Sequence, residues 1–331
     1  MSPPPRPERP SAERSTAERP TVERPRVRLV QMTPRLGDVP RNLDAMLEAV
    51  TQARADGVDL VVFPELALTG YALRDLAADC AIPRDAPEMD ALREASTDVS
   101  IAFGFVEHTA DHRFFNAGAY LEGGEILHVH RKTYLPTYGL FEEARHFAAG
   151  DRVRAFDTRF GRMAMLVCED AWHLPLPYLA AMDGANTLLI LASSPTRGVG
   201  KDGKAQNTEG WEQLLETYAS SLTMFVAFAN RAGFEDGVGF WGGSELVTPG
   251  GVVVAKGAYH ENDAPTTEMD LDLVRQERIA NPLLRDERIP LVISELTRIL
   301  HDRRGTEPSA RAGDPAAAPA AEPSSPPGPR K

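Results

Sequence analysis

Apolar residues in this chain occur both in short continuous runs and at helical spacing. Continuous runs are typical of buried strands. We predict strands at Val27–Met32, Asp59–Phe63, Ile101–Val106, Phe115–Leu121, Ile126–Val129, Met163–Val167, Leu188–Leu191, Phe225–Ala229, Glu245–Thr248 and Val252–Ala255. Helical spacing in Asn42–Ala55, near Leu176–Met182 and from Trp211 to Leu222 predicts helices with one apolar face. Buried strands with covering helices indicate an α/β fold with large sheets and helices on their outer faces.

The two ends of the chain differ from this pattern. Residues 1–26 repeat Glu-Arg-Pro, and residues 305–331 are mostly Pro, Ala, Ser and Gly. Segments so poor in apolar residues cannot offset the entropy lost on ordering. We therefore predict disordered tails at residues 1–26 and 305–331. No Pro/Gly/Ser-rich linker interrupts residues 27–304, so we predict one domain there.

Charge and cysteine content restrict the partners and the compartment. The formal net charge is −12 over 331 residues, which gives no electrostatic basis for binding phosphate, so we expect no nucleic-acid partner. No apolar run approaches the roughly 20 residues of a membrane span, and we expect no membrane partner. Cys80 and Cys168 are too few for a disulfide framework, and the N-terminus lacks the apolar segment of a secretory signal. These features favour the cytoplasm.

Three reactive side chains each follow a predicted strand. They are Glu65, Lys132 and Cys168. Taken singly, each has an ordinary interpretation as a solvated glutamate, a surface lysine or a small buried cysteine. Taken together they supply complete chemistry, because a thiol nucleophile needs a base, a carboxylate can move its proton, and an ammonium can stabilise an oxyanion. Their positions predict a thiol amidohydrolase that uses no histidine base and no metal.

Other polar segments are given structural interpretations. His128 and His130 share one face of a predicted strand, but no third ligand is evident nearby, so we predict a structural pair and no metal site. Gly237–Gly243 lacks the lysine of a phosphate loop and is predicted to be a loop near the site mouth. The basic segment Arg197–Lys201 is interpreted as a solvated loop, with a contact to a substrate carboxylate as the alternative. No cofactor is predicted.

Several segments form a recognisable series along the chain. They are Phe63–Tyr71, Arg131–Pro136, Phe141–Phe147 with Gly150, Val167–Trp172, Asn230–Gly233 and Pro249–Gly251. In these segments the chain resembles the nitrilase superfamily of carbon–nitrogen hydrolases, from about Val27 to Leu300. The resemblance implies a four-layer αββα sandwich that pairs into a homodimer or a higher homo-oligomer.

The resemblance also implies roles for the reactive residues. It makes Glu65 the general base and acid, Lys132 the oxyanion stabiliser and Cys168 the nucleophile. The second glutamate that the family places near its catalytic lysine corresponds to Glu143. The alternative is that Glu142 and Glu143 form a solvated pair at a helix start.

Within the superfamily, the chain is most similar to the glutamine-hydrolysing domain of glutamine-dependent NAD synthetases. That similarity implies that Tyr71 and Tyr138 wall the substrate, that Glu169 with Ser194 binds its amino end, and that Trp172 belongs to the same pocket. The backbone N–H of Glu169 is expected to be the second oxyanion donor. The alternatives are ordinary rim aromatics and a plain turn at the serine.

The sequence leaves the substrate open. It contains no Ser-Gly-Gly-x-Asp-Ser type ATP-binding loop, so we expect that the chain does not make NAD on its own. We expect it to hydrolyse a small primary amide resembling glutamine through a thioester, either as a free-standing amidase or as an ammonia donor to a separate partner. Nitrile hydrolysis and cleavage of an N-carbamoyl group are alternatives within the superfamily. A catalytically inactive binding protein is the alternative from another class.

Overall fold

The computed structural model describes residues 23–198 and 205–306. The strands are β1 (Arg26–Leu29), β2 (Leu60–Val62), β3 (Ser100–His108), β4 (Phe114–Glu122), β5 (Glu125–Arg131), β6 (Ala155–Thr158), β7 (Gly161–Val167), β8 (Thr187–Ala192), β9 (Phe225–Asn230), β10 (Ala232–Glu235), β11 (Val238–Trp241), β12 (Glu245–Val247), β13 (Val253–Lys256) and β14 (Thr266–Glu268). The helices are α1 (Val39–Ala55), α2 (Ala77–Cys80), α3 (Pro87–Ala95), α4 (Glu143–His146), α5 (Pro175–Met182), α6 (Gln206–Ser221), α7 (Asp272–Ala280) and α8 (Ile289–Thr306).

The predicted tails lie almost entirely outside the described residues, so the boundaries at 26/27 and 304/305 stay predictions.

The chain divides into two compact units, Met1–Arg285 and Asp286–Lys331. In the described part of the second unit, Arg298 of α8 pairs with Glu295 at 2.7 Å and with Asp302 at 2.9 Å. Among the described residues, no helix is both long and apolar enough to cross a bilayer.

The described residues of the first unit form two large six-stranded sheets. The first has the order β14-β1-β2-β3-β4-β5 and the second the order β13-β12-β9-β8-β7-β6. In the first sheet β1, β2 and β3 run parallel, and in the second β7, β8 and β9 do. The carboxyl ends of parallel strands meet at one edge of a sheet, where α/β folds place their sites.

Three clusters of buried apolar side chains fill the spaces between the layers. The first joins α1 and α3 to the first sheet, the second joins α5 and α6 to the second sheet, and the third lies between the sheets. Representative side chains are Met46, Leu92 and Phe103 in the first, Leu176, Leu215 and Ile190 in the second, and Leu60, Tyr120, Met165 and Leu189 in the third. The layers therefore run helix, sheet, sheet, helix. The predicted four-layer αββα sandwich is confirmed.

Local chemistry explains where some elements begin and turn. Helix α1 starts at Val39, earlier than the predicted Asn42, because the Asp38 carboxylate accepts the Arg41 N–H at 3.4 Å and a proline occupies the first turn. The hairpin between β4 and β5 turns at Gly123-Gly124, with φ of 62° and 79°.

The prediction for Gly237–Gly243 was wrong in part. This segment is not simply a loop, because β11 takes up most of it and pairs antiparallel with β10. Glycines dominate the local sequence and hide the strand, since Gly242 and Gly243 at its end adopt φ of 69° and 61°.

Gly104 of β3 allows close approach of the turn that follows β2. A Cβ at this position would lie 2.2 Å from the backbone nitrogen of Leu66 and 2.7 Å from Cα of Glu65. At Gly118 of β4, by contrast, an added Cβ would meet the flexible Met165 side chain, 2.4 Å from its Sδ.

We predict that Gly104→Ala lowers the free energy of unfolding by about 3 kcal/mol, because backbone atoms have to move. Gly118→Ala, the matched control in the neighbouring strand, should cost only about 1 kcal/mol because a side chain can shift. Urea unfolding monitored by circular dichroism measures both values. Equal costs for the two variants would contradict the close approach at Gly104.

Candidate active site

The three predicted reactive residues come from both sheets. Glu65 follows β2, and Lys132 directly follows β5, so both extend from the first sheet. Cys168 directly follows β7 of the second sheet. All three side chains are buried, Glu65 and Lys132 completely and Cys168 at 9% exposure. The site therefore lies where strand ends of the two sheets meet.

Lys132 is bound between two carboxylates. Its Nζ lies 2.8 Å from Oε1 of Glu65 and 2.7 Å from Oε1 of Glu143. Glu65 is fixed further by the Asn116 side-chain amide, which donates to Oε1 at 2.8 Å, and by the Ser193 N–H, which donates to Oε2 at 2.7 Å. An ammonium has three donors. Two are used here, which leaves one N–H of Lys132 for a further acceptor.

The placement of Glu143 differs from that of its neighbour Glu142. Glu143 is buried and contacts Lys132, whereas Glu142 is exposed. The Tyr71 hydroxyl donates to Oε1 of Glu143 at 2.5 Å. The alternative of a solvated glutamate pair therefore does not describe Glu143.

The backbone at Cys168 is strained. Its φ is +45°, in the left-handed region that an L-residue other than glycine adopts at a cost of about 1–2 kcal/mol. This conformation begins the short 3₁₀ turn Cys168–Trp172 directly at the end of β7. The turn places the thiol beside the charged cluster instead of continuing the strand.

Burial and charge act against each other on the ionisable groups. Burial raises the pKa of the Cys168 thiol well above its ordinary value, the Glu65 carboxylate raises it further, and the Lys132 ammonium opposes both. Burial by itself lowers the pKa of Lys132, but the carboxylates of Glu143 and Glu65 outweigh it and hold that pKa well above the ordinary value. At neutral pH the resting cluster thus contains a neutral thiol beside an ammonium.

A cavity of about 210 Å³ opens beside the thiol. Its lining includes Cys168 and four of the predicted substrate-binding residues, namely Tyr138, Glu169, Trp172 and Ser194. The Tyr138 hydroxyl donates to Oε2 of Glu169 at 2.9 Å, and burial together with this carboxylate raises the pKa of Tyr138 to about 12. The Ser194 hydroxyl accepts the indole N–H of Trp211 at 2.9 Å.

Tyr71 lies apart from these residues. It lines a different cavity, of about 150 Å³, together with Glu143. Its ring contacts Phe141 and Phe240 edge-on, and its hydroxyl binds Glu143. Tyr71 therefore lies beside Glu143 and is not part of the lining of the cavity at the thiol, although the charge of Cys168 acts on its hydroxyl. Its expected role of walling the substrate stays a prediction.

Arg197 is a cavity residue from the basic segment for which the sequence left two interpretations open. It lines the cavity at Cys168, with its guanidinium 5.4 Å from the ring centroid of Tyr138 and 5.3 Å from that of Phe141. These interpretations of Arg197–Lys201 are a solvated loop and, as the alternative, a contact to a substrate carboxylate; residues 199–201 lie outside the described part of the chain. Asn207 and Trp211 also line this cavity, and no sequence pattern assigned them to it.

A family model described as carbon-nitrogen hydrolase matches residues 26–279. The chain belongs to the carbon–nitrogen hydrolase family. This carbon–nitrogen hydrolase is 32% identical over 265 residues to a glutamine-dependent NAD(+) synthetase of Thermotoga maritima, a match that covers 78% of the chain and 44% of the synthetase. The predicted resemblance to the nitrilase superfamily is confirmed, and the protein is an enzyme of this hydrolase class.

Two solved structures have the same fold as this carbon–nitrogen hydrolase. A glutamine-dependent NAD+ synthetase of Acinetobacter baumannii aligns with a TM-score of 0.68 and 29% identity, covering 76% of this chain and 46% of that one. A carbon-nitrogen hydrolase of Helicobacter pylori aligns with a TM-score of 0.71 and 23% identity, covering 83% and 98%. The chain thus spans about half the length of the synthetases it matches.

The charge state of Glu143 makes the stability of the hydrolase depend on pH. Burial raises the pKa of Glu143 from an ordinary value of 4.5 to about 7, although the Lys132 ammonium opposes the shift. A carboxyl group with a raised pKa stabilises the fold at low pH, and this contribution is lost as the pH rises through the folded-state value. We predict that Glu143→Gln removes this loss, which amounts to roughly 3 kcal/mol between about pH 4.5 and 8.

Urea unfolding of both proteins across that pH range tests the prediction. Glu142→Gln, at the exposed neighbouring position, is the control and should keep the pH dependence of the unaltered protein. If the stability of the Glu143→Gln protein falls with rising pH as steeply as that of the unaltered protein, then Glu143 is not the group whose raised pKa causes the pH dependence.

Proposed function

We propose that this carbon–nitrogen hydrolase cleaves the primary amide of a small amino acid such as glutamine and releases ammonia through a thioester on Cys168. The observation that carries the proposal is the buried contact of Lys132 with Glu65 and Glu143, at 2.8 and 2.7 Å, beside the Cys168 thiol. This arrangement supplies a base, a fixed cation and a nucleophile in one place.

The first half-reaction forms the thioester. Glu65 accepts the Cys168 proton as the sulfur attacks the amide carbon, and the carbonyl electrons move to oxygen. The free N–H of Lys132 and the backbone N–H of Glu169 bind this oxyanion. The carbonyl then re-forms, the carbon–nitrogen bond breaks, and Glu65 gives its proton to the departing ammonia.

The second half-reaction releases the acid. Glu65 accepts a proton from water, whose oxygen attacks the thioester carbon. When the carbon–sulfur bond breaks, the proton returns to the Cys168 sulfur. Since burial and Glu65 disfavour the thiolate, the sulfur is a thiol again in the resting enzyme.

The cavity supports an amino acid as the substrate. It carries one carboxylate, on Glu169, and one guanidinium, on Arg197, and both lie close to Tyr138. An amino acid bears its ammonium and its carboxylate on one carbon, so neighbouring receptors of opposite charge fit it. Glu169 with Ser194 receives the ammonium, and Arg197 receives the carboxylate. Trp172 and Tyr138 form the walls.

We predict that purified protein releases ammonia from glutamine and that Cys168→Ala lowers kcat by at least about 10⁴-fold, because no other atom forms the thioester. A coupled glutamate dehydrogenase assay measures the ammonia. Cys80→Ala is the matched control, since Cys80 is the other cysteine of the chain and is buried against a different apolar cluster. Normal turnover by the Cys168→Ala protein would show that the nucleophile is assigned to the wrong residue.

We predict that Arg197→Met raises KM for glutamine by about 10–100-fold, since it removes a charge-assisted contact to the carboxylate. The same change should leave KM for 4-aminobutanamide, which lacks the carboxylate, within about twofold. Arg145→Met, at an exposed arginine, is the control. An equal rise in KM for both amides would contradict the assignment of Arg197.

The same assay separates the other substrate classes. Carbon dioxide released from an N-carbamoyl amino acid faster than ammonia from glutamine would favour carbamoyl cleavage, and faster turnover of a nitrile would favour nitrile hydrolysis. Folded protein that turns over none of these substrates would favour an inactive binding protein.

A further inference from the structure

Asp170 is a completely buried carboxylate that none of the proposed steps uses. Its Oδ1 accepts the backbone N–H groups of Thr133 and Tyr134, each at 2.9 Å. These two residues directly follow Lys132 in the chain. Asp170 therefore binds the segment that carries the ammonium, although 37 residues separate it from Thr133.

The other oxygen of Asp170 binds one residue near Lys132 and one residue next to Cys168. Oδ2 lies 2.8 Å from Nε2 of His130, which precedes Lys132 by two residues in β5. It also accepts the N–H of Val167, immediately before Cys168, at 3.2 Å. One carboxylate thus holds the chain before and after Lys132 and the chain next to Cys168.

This contact joins the two sheets at the site. Lys132 extends from the first sheet and Cys168 from the second, so their separation depends on how the two strand ends are tied. Ser193 provides the comparable tie for Glu65, with its N–H on Oε2 at 2.7 Å and its hydroxyl on the Glu65 carbonyl at 2.9 Å. Asp170 fills this role for Lys132 and Cys168, because it contacts the backbone directly beside both residues, whereas the Tyr138–Glu169 hydrogen bond lies six positions beyond Lys132.

We infer that Asp170 is a positioning residue, which sets the distance of the Lys132 ammonium from the Cys168 sulfur by binding the backbone around both. A carboxylate with partners on every side has one well-defined position. A misplacement of about 1 Å between reacting groups costs about 10²-fold in rate. Asp170 touches neither the substrate nor the reacting atoms, so its effect passes through Lys132.

The first test rests on the proposed amidase activity. In Asp170→Asn, an NH₂ group replaces one carboxylate oxygen. This NH₂ group would face a backbone N–H, and two donors cannot form a hydrogen bond with each other. We expect kcat for glutamine, per Cys168 that iodoacetamide labels, to fall about 10²-fold, with KM changed less than about threefold. Labelling is carried to completion on the folded fraction isolated by size-exclusion chromatography, because unfolded chains also expose Cys168, so a loss of folded protein alone leaves this kcat unchanged. An unchanged kcat per labelled site would overturn the inference, and so would a rise in KM alone.

Glu122→Gln is the matched control. Glu122 is also a buried carboxylate that links the two sheets, since it accepts the Arg159 N–H at 3.1 Å, but it lies at the opposite end of β4 from Asn116. We expect this variant to lose stability while its kcat per labelled site stays within about twofold. A loss of kcat in Glu122→Gln as large as that in Asp170→Asn would mean that any weakened link between the sheets has the same effect.

The second test needs no substrate. The charged and titratable groups that act on the thiol are Glu65, Lys132, Glu143 and Tyr71. Lys132 favours the thiolate, so displacing it in Asp170→Asn should slow iodoacetamide alkylation of Cys168 and move the midpoint of its pH profile to higher pH. Peptide mass spectrometry separates Cys168 from Cys80. A profile identical to that of the unaltered protein would overturn the inference.

The two tests fail in different ways. If glutamine and other amides are not hydrolysed but the alkylation profile moves, the positioning role holds and the proposed substrate is wrong. If Asp170→Asn does not fold, His130 provides a second pair of variants. His130→Leu removes one partner of Asp170 and should lower kcat about tenfold, whereas His130→Gln retains a donor and should restore most of it. Equal kcat in these two variants would overturn the inference.

Discussion

The buried contact of Lys132 with two carboxylates is the constraint around which the rest of the hydrolase is arranged. Removing one ion from water costs several kcal/mol, and the attraction between buried charges offsets that cost only when every partner is well placed. Lys132 is fully buried together with Glu65, and Glu143 is nearly so. Burial raises the pKa of Glu143 to about 7, and the Glu65 carboxylate adds to this rise because two negative groups share one ammonium.

Neutral hydrogen-bond donors around the cluster stabilise its two buried carboxylates. Asn116 and Ser193 donate to Glu65, and Tyr71 donates to Glu143, so each carboxylate has neutral donors in addition to the ammonium. These donors come from strands and loops of both sheets. The sandwich therefore does more than bury apolar area, because it brings the donors to the charges from opposite directions.

Sequence alone predicted the fold, and it singled out three residues that the structure brings together, because their signals are local. Glu65, Lys132 and Cys168 each follow an apolar run, and the segments around them match a known family in order. Two short strands of mixed composition, β6 (Ala155–Thr158) and β14 (Thr266–Glu268), were not predicted. Each is defined by pairing with a neighbouring strand, and its own sequence shows no apolar pattern.

Other features could not be derived because they depend on long-range geometry. The sequence does not show which cavity Tyr71 faces, since this depends on where Glu143 lies, 72 positions away. The placement of Arg197 over Tyr138 also depends on how two loops meet. The partners of Asp170 come from β5 and from β7, so its motif position beside Cys168 gave no indication of them.

The left-handed backbone at Cys168 restricts how this enzyme can evolve. A branched Cβ is poorly tolerated at φ of +45°, so threonine is a costly replacement there, although its hydroxyl is a nucleophile in other enzymes. Serine has an unbranched side chain of nearly the same shape and fits the same backbone. An oxygen nucleophile at this turn is therefore more accessible through serine than through threonine, although Thr223 adopts the same φ elsewhere in the chain.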